Sequence, residues 1–203
     1  MNSLTILGST GSIGLSALRV VRSAPERFKV FGLACNRNLE MLSKQIDEFK
    51  PVVVAIGDET VHESELVMLL RAKFPSVEFL FGEEGIIDLA SRRCDIVLSS
   101  IVGGAGLRPS LAALDGCRRL ALANKETLVM AGDLFMKLAE EKGVELIPVD
   151  SEHSAIFMLM RNVAKSELER IILTASGGSL RDYPVEKLRS EEHTSELQSH
   201  LNL

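Results

Sequence analysis

Tryptophan is absent from the sequence, tyrosine occurs once, and the three cysteines, Cys35, Cys94 and Cys117, lie far apart. Widely spaced cysteines in odd number argue against a disulfide framework or a zinc site and favour reduced thiols. There is no run of about 18 apolar residues, which argues against a helix that crosses a membrane. The first residues also lack the basic and apolar stretches of a signal peptide. We therefore expect a cytoplasmic protein, or a plastid protein if the source organism has plastids, without a membrane partner.

A surplus of positive charge is missing as well. The formal net charge is -5 and there is no long basic block, so nothing in the sequence indicates a nucleic-acid partner. An anionic substrate is compatible with this charge where positive side chains gather locally. Apolar residues make up 46% of the 203 positions, which is enough to bury the core of one domain and part of another.

Short apolar runs alternate with segments of helical period along most of the chain. This alternation predicts repeated βαβ units around a parallel sheet. Right-handed crossovers then give a doubly wound, Rossmann-like α/β fold with ligands at the carboxyl ends of the strands. A late strand is predicted at "RIILTA", residues 170–175. The predicted helices cover 12–22, 39–49, 59–73, 83–91, 108–115, 126–141 and 154–162.

A glycine loop, "GSTGSIG" over residues 8–14, lies between the first apolar run and the first helix. Glycines let the backbone approach a phosphate, and the start of a helix offers unpaired N–H groups and a partial positive charge. The spacing G-x-x-G-x-x-G differs from the common G-x-G-x-x-G, so position strengthens the motif more than pattern does. The loop is a candidate pyrophosphate site, and a plain glycine turn with Ser/Thr capping is the alternative.

The second predicted strand ends at "ACNRN", residues 34–38. NAD-binding folds usually place a carboxylate there for the ribose hydroxyls. A guanidinium, that of Arg37, stands in its place and suits the 2′-phosphate of NADP. The alternative is that Arg37 is an ordinary solvated loop residue, and NADP is the preferred interpretation.

Two further strand-to-helix junctions carry polar or flexible residues. Asn124, Lys125 and Glu126 in "ANKET" can hold a cofactor amide and a polar substrate, or can simply start a helix. The loop "IVGGAG", residues 101–106, can pass close under a cofactor, although helix packing asks for the same residues. Both lie at the sheet edge expected for the glycine loop.

The hexapeptide "PVDSEH", residues 148–153, follows the last strand of this array. If the segment stays extended, Asp150 and Glu152 project to one face and form half of a site for a hard cation. The alternative is that Asp150 or Ser151 caps the next helix. Further along, "TASGGS" at 174–179 offers Ser176 and free N–H groups to a phosphate, or is a simple turn.

Four segments, "LTILGSTGSIG", "LANKETLV", "PVDSEHSAIF" and "ILTASGG", occur in this order. Their order and spacing make residues 4–188 resemble the 1-deoxy-D-xylulose 5-phosphate reductoisomerase family, the NADPH enzymes of the non-mevalonate isoprenoid pathway. The resemblance implies an NADPH domain, a catalytic domain and a C-terminal helical domain in a homodimer. We accordingly expect a Rossmann-like NADPH-binding domain over residues 1–149 and the truncated start of an α/β catalytic domain over 150–188.

The resemblance also implies roles for individual residues. Asp150 and Glu152 match two of three acidic ligands of a divalent metal, Mg, Mn or Co. Lys125, Ser151 and Ser176 match contacts of a phosphorylated sugar and, with Glu152, make up the expected catalytic set. The residues that match cofactor contacts are Thr10, Gly11, Ser12, Ile13, Asn36, Arg37, Asn38, Asn124 and Glu126.

The implied reaction has two stages. A metal chelated by the substrate's carbonyl and hydroxyl oxygens polarises the carbonyl and promotes rearrangement to a branched aldehyde phosphate. NADPH then delivers hydride, which yields 2-C-methyl-D-erythritol 4-phosphate. Lys125 would add positive charge near the reacting oxygens. The alternative is an NADP-binding module, or another NADP-dependent oxidoreductase without isomerase chemistry, and it requires the acids of "PVDSEH" to be caps only.

The last segment, residues 189–203, does not follow the resemblance. "RSEEHTSELQS" reads as one translated frame of a common short-read sequencing adapter. We expect an artefact joined to a truncated gene, which leaves the third metal carboxylate and most substrate-phosphate contacts outside the chain. Such a chain would bind NADPH weakly and would not turn over. Long-read sequencing around codon 188 tests this expectation, and an unbroken frame through the tail contradicts it.

Overall fold

The computed structural model describes residues 1–172, and in that part of the chain seven strands form one sheet. Its order is β4-β3-β2-β1-β5-β6-β7, and every pairing is parallel. The strands are β1 (Asn2–Leu7), β2 (Phe28–Cys35), β3 (Val53–Ile56), β4 (Glu78–Phe81), β5 (Cys94–Ser99), β6 (Cys117–Leu122) and β7 (Glu145–Pro148). The predicted Rossmann-like α/β fold is confirmed.

Helices cover both faces of this sheet. The first three pack into one core cluster and the next three into a second, because the crossovers reverse direction after β4. The reversal puts the switch point between β1 and β5, where ligands of such sheets bind. The helices are α1 (Ser12–Ser23), α2 (Leu39–Phe49), α3 (Glu65–Lys73), α4 (Gly82–Ser91), α5 (Leu107–Gly116), α6 (Lys125–Glu141) and α7 (Ser151–Met160).

The prediction of a single helix over residues 59–73 is wrong. A short 3-10 helix, Glu59–Val61, precedes α3, and three residues, the last of them the capping residue Ser64, separate the two. Asp58 caps the 3-10 turn through the N–H of Thr60, and Ser64 caps α3 through the N–H of Val67. The apolar pattern is continuous across this range, but each of the two caps starts its own helix, so the 3-10 turn ends before α3 begins.

The strand predicted at 170–175 is not formed in its described part. Arg170, Ile171 and Ile172 have no strand structure, and the two isoleucines are 51% and 77% exposed. A strand needs a neighbour for its backbone groups, and no described strand pairs with these residues. Residues 173–175 lie outside the described part of the chain.

The chain divides into two units, Met1–Met158 and Leu159–Leu203, and the whole sheet belongs to the first. The division expected between residues 149 and 150, which separates a cofactor domain from a catalytic domain, stays a prediction. Within residues 1–172, no helix has both the length and the apolar character that spanning a membrane requires.

Candidate functional site

The polar segments singled out in the sequence lie at one edge of the sheet, where the parallel strands end. The glycine loop follows β1, Asn36 follows β2, Asn124 follows β6 and Asp150 follows β7. Parallel strands bring their carboxyl ends to the same edge, so the fold gathers these segments without any further requirement. Ser176 lies outside the described residues, and its substrate role stays a prediction.

The glycine loop presents the start of α1 without a side-chain cap. Gly11 is the N-cap residue and is exposed, and none of the described residues accepts a bond from the N–H groups of Ser12, Ile13 or Gly14. Gly14 is buried, and a Cβ there would lie 2.3 Å from the Gly8 oxygen. The loop therefore packs tightly around Gly14 and leaves the first N–H groups of α1 free to donate, an arrangement suited to an anion.

The floor of the glycine loop is tied to two neighbouring elements. Ser9 is fully buried, and its N–H donates to the Ala34 oxygen of β2 at 2.7 Å. Its hydroxyl donates to Gln45 Oε1 of α2 at 2.7 Å, and Gln45 Nε2 donates back to the Ser9 oxygen at 2.9 Å. These bonds hold the backbone from which Thr10 and Gly11 project.

Arg37 lies at the end of β2 and makes an ion pair that the sequence did not suggest. Its Nε lies 2.7 Å from Asp58 Oδ2, while 75% of the Arg37 side chain stays exposed. Hydrogen bonds from Thr60, followed by the Arg37 guanidinium, hold the pKa of Asp58 below its usual range. Because most of the Arg37 side chain is exposed, an anion can still pair with its guanidinium.

Asn38 and Asn124 both serve as helix caps. Asn38 Oδ1 accepts from the N–H of Met41 at 3.0 Å at the start of α2. Asn124 Oδ1 accepts from the N–H of Thr127 at 3.0 Å, and its Nδ2 donates to the oxygens of Ile101 and Gly103. Asn124 is 3% exposed, so its amide is committed to the protein. A direct contact between the cofactor and either residue stays a prediction, and for Asn124 it would involve the backbone.

A cleft of about 470 Å³ opens at the switch point, between the ends of β1, β2 and β5. Thr10, Gly11 and Asn36 line one side, and residues of the loop after β5 line the other. Cys35 lies at its base, where burial raises the pKa of the thiol to about 12 and keeps it neutral. Ser12 and Ile13 instead line a separate apolar groove together with Val149. The remaining lining residues are Gly8, Ala34, Gly57, Glu83, Ile86, Ser100, Ile101, Val102, Ala105 and Pro109.

Lys125 and Glu126 form the first turn of α6 and are half-buried. Neither belongs to an ion pair between described residues. Ala131 interrupts this helix with φ -147° and ψ 29°, so the first turns are set off from the rest. The turn that carries the ammonium is therefore a short segment that Asn124 caps and that Thr127 and Leu128 anchor to the core.

The hexapeptide after β7 coils at once, so the extended arrangement considered for Asp150 and Glu152 is wrong. α7 begins at Ser151, Asp150 Oδ1 accepts from the N–H of His153 at 3.3 Å, and Ser151 Oγ donates to Glu152 Oε2 at 2.5 Å. Helical residues two apart do not share a face. The capping alternative is confirmed for Asp150, while its second carboxylate oxygen is not used by the cap.

The described residues hold no group of three His, Cys, Asp or Glu side chains arranged for a metal ion. Asp150 and Glu152 supply two hard oxygen donors, which suit Mg²⁺ or Mn²⁺ and need further ligands. The donor set thus fits a divalent ion in kind and is incomplete in number.

Sequence reasoning missed three residues of this region. Gln45 is buried on the apolar stripe of α2, and a polar residue on such a stripe is a signal that could have identified it. Asp58 follows β3, next to β2 in the sheet, so its pairing with Arg37 depended on strand order. Ser100 bonds the Leu7 oxygen at 2.6 Å across β1 and β5, which has no local signature.

Family comparisons agree with this geometry. Residues 4–132 match the model for 1-deoxy-D-xylulose 5-phosphate reductoisomerase, and residues 146–202 match that for the C-terminal domain of the same enzyme. The second match extends past residue 188, where we expected the resemblance to end. The origin of residues 189–203 stays a prediction.

Individual relatives point the same way. The 1-deoxy-D-xylulose 5-phosphate reductoisomerase of Gloeobacter violaceus is 48% identical over 203 residues, which is 100% of this chain and 51% of that protein. The Zymomonas mobilis reductoisomerase in complex with NADPH has a TM-score of 0.83 at 36% identity, over 92% of this chain and 48% of the other. A reductoisomerase complex with NADPH, fosmidomycin and magnesium has a TM-score of 0.80 at 35% identity, over 94% and 49%. The chain spans about half the length of the curated relatives it matches. With a family model matched over residues 4–132, the chain belongs to the 1-deoxy-D-xylulose 5-phosphate reductoisomerase family.

Proposed function

We propose that this chain provides the NADPH-binding part and the first metal ligands of a reductoisomerase. The enzyme would convert 1-deoxy-D-xylulose 5-phosphate to 2-C-methyl-D-erythritol 4-phosphate with NADPH and a divalent metal. One observation carries the proposal: the uncapped start of α1 opens beside a cleft at the switch point of a doubly wound sheet. Family membership supplies the substrate, because a fold alone does not identify one.

The cofactor would bind along the carboxyl edge of the strands. The N–H groups of Ser12 and Ile13 are free to donate to a pyrophosphate, and Gly11 leaves room for its approach. The terminal nitrogens of Arg37 would pair with the 2′-phosphate, and Asp58 on its Nε would hold the guanidinium at the end of β2. The loop after β5, which Asn124 holds, would form the opposite wall.

The substrate would bind toward β6 and β7. A bound divalent ion supplies a Lewis acid for the substrate carbonyl, and NADPH supplies the hydride. Asp150 and Glu152 would give carboxylate oxygens to that ion, and Lys125 would place an ammonium near the reacting oxygens. Ser151 is exposed at the start of α7, where a substrate hydroxyl can reach it. Ser176 would contact the substrate phosphate.

Further properties of the full-length protein follow from family resemblance alone. We infer a homodimer in the cytoplasm that accepts manganese as well as magnesium, with residues 1–149 as the cofactor domain. The part of the protein that supplies the third metal carboxylate would be needed for turnover. By itself this 203-residue chain should bind NADPH and not catalyse the reaction.

A second candidate is an NADP-binding module without isomerase chemistry. The observation that favours it is the cap of Asp150, which gives that carboxylate a structural reason to be present. Metal-dependent NADPH oxidation with 1-deoxy-D-xylulose 5-phosphate, measured on a chain extended to the family's full length, separates the two candidates. Turnover that requires Asp150 and Glu152 supports the reductoisomerase, and NADPH binding without turnover supports the module.

Cofactor choice is tested on the 203-residue chain itself. Arg37→Met should weaken NADPH binding by about tenfold or more and leave NADH binding unchanged, because only NADPH carries the 2′-phosphate. Arg19→Met on the outer face of α1 is the matched control, since Arg19 is exposed and, among the described residues, its side chain bonds only Ser16. Titration of the cofactor fluorescence measures both affinities. Equal loss of NADH and NADPH binding would contradict the role given to Arg37.

A further inference from the structure

Gln45 lies on α2, outside the cleft, and is one of the few polar side chains in the core. It is 3% exposed, and its neighbours on the same helix face, Leu42 and Ile46, are fully buried. A buried amide costs free energy unless its donors and acceptor are paired. Gln45 meets this requirement through a single residue of the glycine loop, Ser9.

The bonds between Gln45 and Ser9 run in opposite directions. The Ser9 hydroxyl donates to Gln45 Oε1 at 2.7 Å, and Gln45 Nε2 donates to the Ser9 backbone oxygen at 2.9 Å. A leucine at position 45 would leave both Ser9 groups without these partners in a dry environment. The pair therefore fixes both the side chain and the backbone of Ser9.

The orientation of the Ser9 oxygen determines that of the next amide. In a planar trans peptide the C=O and the following N–H point in opposite directions. Gln45 draws the Ser9 oxygen toward α2, so the N–H of Thr10 points away from α2. Thr10 itself lines the cleft. That N–H is a donor available to a phosphate, as are those at the start of α1.

We propose that Gln45 is a positioning residue for the cofactor pyrophosphate, acting through Ser9 on the amide of Thr10. The inference rests on the proposed NADPH function and adds a residue that does not touch the ligand. Preorganised donors bind without a cost for ordering the loop, so loss of Gln45 should appear as loss of affinity.

The test compares NADPH affinity of the 203-residue chain and its variants. Gln45→Met has a similar volume, lacks both bonds, and should raise the Kd about ten- to a hundredfold, the cost of misplacing a donor to a charged phosphate. Ser9→Ala keeps the bond to the backbone oxygen and should have a smaller effect. Lys44→Met is the matched control, since Lys44 is 67% exposed and pairs with Glu40, and it should bind as the unmodified chain does.

A pH profile of Gln45→Glu separates positioning from general loss of structure. A protonated glutamate can donate to the Ser9 oxygen and an ionised one cannot, and burial raises the pKa of such a carboxyl. Affinity should recover as the pH falls from about 8 to about 5.5, while Gln45→Met shows no recovery. The charged groups around the α1–α2 groove are Arg19, Arg22, Lys44 and Glu48, and the hydrogen bond from the Arg22 guanidinium holds the pKa of Glu48 below its usual range.

Two failures can be told apart. If the unmodified chain does not bind NADPH, the proposed function is wrong at its first step. If that chain binds, and a folded Gln45→Met binds equally well, the role of Gln45 is overturned and the function stands. If Gln45→Met does not fold, Gln45→Glu decides: recovery at low pH supports the inference, and affinity that does not change with pH overturns it.

Discussion

Gly11 and Gly14 belong to the same loop, and an added methyl group would have different consequences at the two positions. At Gly14 a Cβ would lie 2.3 Å from the Gly8 oxygen and 2.6 Å from the Ser9 Cα, so backbone would have to move. At Gly11 the nearest atom is the Gly8 oxygen at 3.4 Å, and the residue is exposed. One glycine is required for packing, and the other for access.

We therefore predict that Gly14→Ala lowers the free energy of unfolding by about 1–3 kcal/mol, as overpacking does. Gly11→Ala should change it by about 0.5 kcal/mol or less, since the weaker cap is offset by a less flexible unfolded chain. Gly11→Ala should nevertheless weaken NADPH binding, because its methyl group stands where the phosphate approaches. Urea unfolding and cofactor titration measure the two effects. Unchanged cofactor affinity in Gly11→Ala would contradict the proposal that the cofactor phosphate binds at this loop.

At the same scale, the sequence predicted residue types better than their bonds. Asn124 and Asp150 lie at the edge of the sheet where the sequence predicted them, yet both make hydrogen bonds that cap helices. Arg37 was chosen for its charge, but its pairing with Asp58 needed the neighbouring strand. Such bonds depend on which distant residue arrives next to a side chain, and a single sequence does not state that.

Among the elements, α2 shows what local signals determine. It covers the predicted range 39–49, since Asn38 caps its start and Lys50, with φ 49°, ends it. α3 and α7 show what such signals leave undetermined. Ser64 and Asp150 cap these helices, so the helices begin at other residues than predicted, and from the sequence either residue could also have stood inside a loop. The strand expected from residue 170 lacked a described neighbour, which an apolar pattern cannot reveal.

Arg92 joins β4 to the end of α4 and should make stability depend on pH. Its guanidinium donates to both oxygens of Glu78 and to Asp88, and these hydrogen bonds lower the pKa of both carboxyls. Carboxyls with a lowered folded pKa add stability above their unfolded values, 4.5 and 3.8, and lose it as the pH falls below them. Both side chains are 50% exposed, so solvent screening keeps the contribution modest.

Arg92→Met should accordingly be less stable than the unmodified chain at pH 7, and the difference should shrink as the pH falls to about 3. Urea midpoints measured across this range give the difference directly. Arg93→Met is the neighbouring control, because Arg93 forms no ion pair within the described part of the chain. A stability difference between Arg92→Met and the unmodified chain that stays constant from pH 7 to 3 would show that Arg92 stabilises the fold by packing and not by charge.

At the scale of the whole molecule, the sheet divides the core into two clusters and also joins them. Alternate residues of one strand point to opposite faces, so Ile6 belongs to the α1–α3 cluster and the adjacent Leu7 to the α4–α6 cluster. In β3, Val54 belongs to the first and Val53 to the second. Removing either layer of helices would expose the same central strands, so both clusters should unfold together.

The cysteines report on this cooperativity because they lie on both faces. Cys35 is buried in the α1–α3 cluster, and Cys94 and Cys117 are buried in the α4–α6 cluster. Burial raises the pKa of Cys35 and Cys117 to about 12, so a thiol reagent should reach them only through unfolding. The variant Cys35→Ala keeps Cys94 and Cys117, and the double variant Cys94→Ala/Cys117→Ala keeps Cys35. We predict that the remaining cysteines of the two variants are labelled over the same range of urea concentration. Labelling of Cys35 at clearly lower urea would mean that helices α1–α3 open first and that the sheet does not couple its two faces.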